Sequence, residues 1–186
     1  SAPYEIYAAR NGKRAARVEF KLNQSAPKTN FILQRAEIDH TLLDIFVVDS
    51  ENRMLLGRPW ITSIIDKHSR CILGSHIGFE PPSYLSVAKA LKNAILPKGR
   101  LLSRYPLIKN EWPCFGVPSV LVSDRGKEFE SIAFVDACQD LNISIQRSPA
   151  KHPWYKGAIE SFFKTINQRL LSGVPGSRSE ERRVGK

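Results

Sequence analysis

Three acidic residues have the types and spacing to do chemistry: Asp39 in AEIDHT, Asp124 in LVSDRGKEF and Glu160 in KGAIESFFKTIN, with 35 residues between the second and the third. Hard divalent cations take oxygen ligands. A pair of them needs carboxylates arriving from several elements to clamp the attacking and leaving oxygens of a phosphodiester. Each acid also has an ordinary explanation. Asp39 can be an edge acid, although Asp is depleted in strands and this one follows Ile38 in a strand-like stretch. Asp124-Arg125-Gly126 can be a simple β-turn, but it ends the apolar run Val120, Leu121, Val122, and ligands collect at the carboxyl ends of strands in open α/β sheets. Glu160 can be one rung of a surface ladder with Lys156 and Lys164 at i−4 and i+4. The other acids nearby read as routine. Asp44 lies in the first strand region, Asp49 in a turn cluster and Asp66 in a hairpin turn, while Glu128 and Glu130 read as solvated residues at a helix start.

The elements that must carry these residues follow from periodicity. Phe31 to Val48 holds strand residues closed by the turn-prone Asp49-Ser-Glu-Asn, and Trp60 to Ile65 with Cys71 to Ile77 reads as a hairpin. Ser83 is suited to N-cap a helix whose 3- and 4-residue spacings run through Leu85, Ala88, Leu91, Lys92 and Ile95, ended by Pro97 to Gly99. A loop-rich stretch from Arg100 to Pro118 precedes a strand at Ser119 to Ser123, a helix at Phe129 to Leu141 and a short strand at Ile143 to Ile145. The final helix, Trp154 to Leu171, puts Ile159, Phe162, Phe163, Ile166 and Leu170 on one face, with Glu160 at its border. This order predicts a mixed α/β sheet with helices on both faces and no internal repeat.

The chain has 186 residues, 42% hydrophobic and 25% charged, which suits one globular domain with a sizeable core. The absence of a long apolar run or a signal-peptide pattern predicts no membrane and an intracellular site. Cys71, Cys114 and Cys138 are odd in number and form no CxxC pair, so neither a disulfide framework nor a zinc site is indicated. The net charge of +10 suits a polyanionic partner. Its distribution weakens that argument, because residues 1–30 carry +4 and residues 178–186 carry +2. The expected organisation is a basic helix and linker over 1–30, a core over 31–177, and a tail over 178–186. That tail, RSEERRVGK, reads like a translated sequencing adapter and is expected to be non-native. With Ser1 rather than Met at the start, the chain reads as a fragment.

Five blocks in order, LQRAEIDHTLLDIFVVD, GRPWITSIIDKHSRCILG, FEPPSYLSVAKALKNAILPK, NEWPCFGVPSVLVSDRGKEF and SPAKHPWYKGAIESFFKTIN, resemble the integrase-type catalytic core of DDE transposases, nearest the TnsB-like and Mu-transposase-like branch. The resemblance covers roughly Ile32 to Gly176 and departs at Arg125 and Ser161, where relatives often carry Asn and Arg. It implies an RNase H-like fold. It also implies that Asp39, Asp124 and Glu160 bind two Mg2+ ions, which Mn2+ can replace, for 3′-end DNA cleavage and strand transfer into target DNA. Lys156, Lys164, Arg125, Lys127 and Lys151 are the candidate DNA contacts, and Lys151, His152, Trp154 and Tyr155 make a basic-aromatic patch. The implied partners are transposon-end DNA and target DNA, a homo-oligomer assembled on the ends, an ATPase regulator and an endonuclease, in a bacterial cytoplasm at the nucleoid. The competing readings are an RNase H-like nuclease and an inactive DNA-binding remnant of a transposon.

Overall fold

The structure, a computed structural model, describes residues 2–19, 28–148 and 156–177. Five strands form one sheet in the order β5-β4-β1-β6-β7: β1 (Ala36–Leu42), β4 (Trp60–Asp66), β5 (Ile72–Gly78), β6 (Val120–Ser123) and β7 (Ser144–Arg147). The β1/β4 and β4/β5 pairs are antiparallel, and β1/β6 and β6/β7 are parallel. A small antiparallel pair, β2 (Val47–Val48) with β3 (Leu55–Gly57), stands apart between β1 and β4, and the β3 strand has no clear sequence signal. Helix α1 (Ala2–Glu19) is kinked at Gly12, whose φ is 83°. No helix among the described residues is long and apolar enough to cross a membrane.

Each face of the sheet buries its own core. On one, Ala36 and Ile38 of β1, Ile64 of β4, Leu73 of β5 and Leu121 of β6 meet α2 (Tyr84–Ile95) and α4 (Ile132–Asp140) through Val87, Ala90, Leu91, Ala94, Phe134 and Cys138. On the other, Ile61 and Ile65 of β4 meet α5 (Gly157–Thr165) through Ala158, Ile159 and Phe163. Successive strand residues point to opposite faces, and so Ala36 and Ile38 serve the first core while Glu37 and Asp39 point toward α5.

Three features differ from the periodic reading. The buried stripe of α2 is Val87, Ala90, Leu91 and Ala94, whereas Leu85 is exposed. The stripe is rotated because small side chains let the helix settle onto Gly74 of β5, where a Cβ would lie 2.3 Å from the Ala94 nitrogen and 2.8 Å from the Ala90 carbonyl oxygen. A one-turn helix, α3 (Gly99–Leu102), occupies the start of the expected loop, and a 3-10 turn (Lys127–Phe129) precedes α4. Finally, α5 passes into a π-helical turn at Ile166–Leu170. The wider i→i+5 spacing, with the Leu171 N–H on the Ile166 carbonyl at 3.0 Å, turns Leu170 out to solvent.

Because backbone rather than a flexible side chain fills the space, Gly74→Ala must push α2 off the sheet. A loss of about 1–3 kcal/mol or more is expected, measured as a lower urea midpoint, and an unchanged midpoint would mean that α2 does not sit where described.

Candidate active site

The acids are placed by strand register. In the parallel pair β1/β6, Glu37 lies opposite Val122. Two residues further on come Asp39, midway along β1, and Asp124, directly after the end of β6, on neighbouring parallel strands. Glu160 is in the first turn of α5, on the face of the sheet toward which Asp39 points. Two of the acids thus come from adjacent strands and the third from the helix packed on β1.

Local contacts define the state of each acid. Asp39 Oδ2 accepts from Lys156 Nζ at 2.7 Å, and its Oδ1 accepts the His40 N–H at 2.9 Å. Asp124 Oδ1 accepts the Gly126 N–H at 3.0 Å, the turn geometry expected of Asp-x-Gly. Glu160 is raised above its ordinary carboxyl range, first by partial burial, then by the negative charge of Asp39 and more weakly by Glu37, while Lys156 opposes the rise. Among the described residues no three His, Cys, Asp or Glu side chains are gathered as a ready set of metal ligands. Asp39 and Asp124 each hold a donor of their own. The donor chemistry is nonetheless that of a hard divalent ion, all oxygen and all carboxylate.

The candidate cations fall into different positions. Arg125, Lys127 and Lys164 are exposed, whereas Lys156 is only 5% exposed and is committed to Asp39 rather than to a surface ladder. Lys151, together with His152, Trp154 and Tyr155, lies outside the described residues, as does the tail 178–186.

Two of the acids read as routine are not exposed. Asp66 is fully buried, its Oδ1 accepting the Leu33 N–H at 2.8 Å and its Oδ2 accepting the Ser69 N–H at 2.6 Å and the Ser69 hydroxyl at 2.7 Å. It pairs in register with Ala36, at the start of β1, and so holds the hairpin. Glu128 is not a solvated helix-start acid, because its Oε1 lies 3.3 Å from His40 Nε2 and the His40 ring stacks on Phe129 at 5.6 Å. Asp44 pairs with Arg58 at 2.5 Å. Sequence reasoning also passed over Arg147, which donates to Ser123 Oγ at 2.6 Å and to the Phe129 carbonyl at 2.5 Å, tying down both ends of the segment that holds Asp124. It passed over Glu37 as well, which is fully buried. The one signal for Glu37 was an acid spaced two residues from Asp39 in a strand.

Since the folded protein holds the Glu160 proton above the ordinary value of 4.5, the folded state binds more protons than the unfolded one just above that pH. Stability therefore falls as pH rises through this window. In chelator, Glu160→Gln is expected to raise the thermal midpoint at pH 7, with the gain shrinking as pH is lowered toward 4.5. A gain that is equal at both pH values would contradict the placement of Glu160 beside Asp39.

A family model, the TnsB C-terminal domain, matches residues 37–176, a span that includes all three acids. The transposon Tn7 transposition protein TnsB of Escherichia coli is 37% identical over 145 residues, covering 76% of this chain and 20% of that protein. The transposase for transposon Tn552 of Staphylococcus aureus is 36% identical over 140 residues, covering 75% of this chain and 27% of that protein. This chain thus spans about a fifth to a quarter of the relatives' length. The fold is similar to that of a chain in the simian T-cell lymphotropic virus intasome in complex with PP2A regulatory subunit B56 gamma, with a TM-score of 0.50, 12% identity, and coverage of 93% of this chain and 63% of that one. The mixed sheet flanked by helices is RNase H-like. On the match over residues 37–176, the chain belongs to the TnsB C-terminal domain family, a group of transposase and integrase-type proteins.

Proposed function

We propose that this domain is the DDE-type catalytic core of a transposase, carrying out metal-dependent cleavage at the 3′ ends of a DNA element and joining those ends to target DNA. The observation that carries the reading is that Asp39 and Asp124 come from neighbouring parallel strands while the start of α5 lies by Asp39 through Lys156, with the Glu160 carboxyl raised first by partial burial and then by the charge of Asp39. Asp39, Asp124 and Glu160 would hold two Mg2+ ions, or Mn2+ in their place. Such ions, when bound, supply Lewis-acid stabilisation of charge on the phosphate and a lowered pKa for an attacking water or hydroxyl.

The chain's own residues do the positioning. Three carboxylates from β1, the β6 end and α5 set the charge and shape of the edge where a phosphodiester must sit. Arg125, Lys127 and Lys164, exposed on this chain, are suited to phosphate contacts that fix DNA register without reading sequence; Lys151 extends that set. Lys156, buried against Asp39, supplies a positive charge within the site itself. The DNA partners are an element's ends and a target duplex, and the acting form is an oligomer on those ends, in the bacterial cytoplasm. An ATPase regulator and an endonuclease partner would complete the system.

Asp39→Asn, in a protein restored to its relatives' full length, is expected to lower 3′ cleavage and strand joining at least about a hundredfold while leaving end binding intact, measured on labelled element-end oligonucleotides in Mg2+. Asp44→Asn is the control and keeps activity. Asp66→Asn is unsuitable as a control because it disturbs a buried hairpin anchor. Cleavage without joining by the unaltered protein points instead to a nuclease, and full activity in Asp39→Asn, Asp124→Asn and Glu160→Gln alike removes the reading.

A further inference from the structure

Glu37 is completely buried, and its carboxylate is saturated by three donors. Oε2 accepts the N–H groups of Ala158 and Ile159, each at 3.0 Å, and Oε1 accepts from Lys67 Nζ at 2.5 Å. A helix start leaves its first amides without intrahelical partners and carries partial positive charge. An anion there is favourable, and a buried anion needs such donors to exist at all. The cap normally comes from the chain just before the helix. Here it comes from 121 residues away, because the N-cap residue, Lys156, makes no side-chain cap and has its ammonium on Asp39.

The consequence is geometric. Glu37 and Asp39 share one face of β1, two residues apart, while Ile159 precedes Glu160 directly. The strand that carries the first acid thus grips the helix that carries the third, one residue from that acid. We infer that Glu37 is a positioning residue, whose anionic clamp on the start of α5 holds Glu160 against Asp39 and so sets the geometry of the divalent-cation site. This rests on the reading that the acidic triad binds divalent metal. Both oxygens of the carboxylate are used. A Gln in its place can still offer one oxygen to the helix amides, but its NH2 group then faces the Lys67 ammonium, donor against donor. Replacing Lys67 by Met in that background removes the stranded charge and leaves the cap.

The test measures Mn2+ affinity by calorimetry on the full 186-residue chain, alongside amide hydrogen exchange at Ala158 and Ile159 and the thermal midpoint. Asp39→Asn serves as the reference for lost binding. The double variant Glu37→Ala with Lys67→Met is expected to stay folded, to lose amide protection at 158 and 159, and to bind Mn2+ about 10–100-fold more weakly, the range typical when a group supporting metal ligands is removed. Glu37→Gln alone is expected to weaken binding, and adding Lys67→Met is expected to restore it to within about threefold of the unaltered chain. A cap with a purely structural role would move the midpoint and the exchange rates yet leave Mn2+ affinity unchanged in every variant, and that outcome overturns the inference. Should the Ala variant not fold, Glu37→Gln with and without Lys67→Met still decides, since equal affinities in the two overturn it as well. Failure of the unaltered chain to bind Mn2+ is a different result, which removes the metal reading and this inference together.

Discussion

The central strand β1 must serve two masters, and the pleat is what permits it. It lies third in the five-stranded order, covered on both faces, with Ala36 and Ile38 sunk into the core under α2 and α4. The alternate positions, Glu37 and Asp39, point at α5. A strand buried on both faces ordinarily reads as continuous apolar sequence, and an acid there is costly unless paired. Here the cost is met by the α5 amides, by Lys67 and by Lys156. Moving β1 by one residue would put the acids into the apolar core and the isoleucine toward α5, so the register of this strand decides which face carries the acids.

Around that strand, the remaining restraints act on the segments that bring in the other two acids. Arg147, reaching from β7 to Ser123 and the Phe129 carbonyl, spans the turn that contains Asp124, and His40 adds a stacked ring on Phe129 and a contact to Glu128. Helix α5 is held from below by Ala158, Ile159 and Phe163 in the second core and from its start by Glu37. These groups place acids on backbone that is itself fixed by packing, which is what a site holding like charges together requires, because the unassisted preference of Asp39 and Glu160 is to separate. The upward shift of the Glu160 carboxyl comes first from partial burial and then from that opposition.

Much of this was legible in order and type. The strand, hairpin, helix and strand sequence, the mixed sheet, and the three acids on three different elements all follow from periodicity, turn residues and five ordered blocks. What was not legible was orientation. The α2 stripe was misplaced because Leu85 looks like a better core residue than Ala90 or Ala94, yet the close approach to Gly74 selects small side chains. Leu170 was assigned to the core on a 3.6-residue period that the π-turn at Ile166–Leu170 breaks. Asp66 reads as a hairpin-turn acid, and its contacts to Ser69 fit that role, but its burial and its bond to Leu33, like the contact of Glu128 with His40 in place of solvent, come from the fold, because a sequence lists only neighbours along the chain.

The sequence by itself determined the residue chemistry, the element order and the family, because these depend on residue type and short-range spacing. Only the tertiary structure decided that β1, which carries Asp39, and β6, which leads to Asp124, are parallel neighbours, that Lys156 turns inward onto Asp39, and that Glu37 ties β1 to the start of α5. Those outcomes depend on parallel pairing and on contacts across more than a hundred residues, and the alternation or amphipathic period of a single segment carries no information about which distant donor its buried acids will meet.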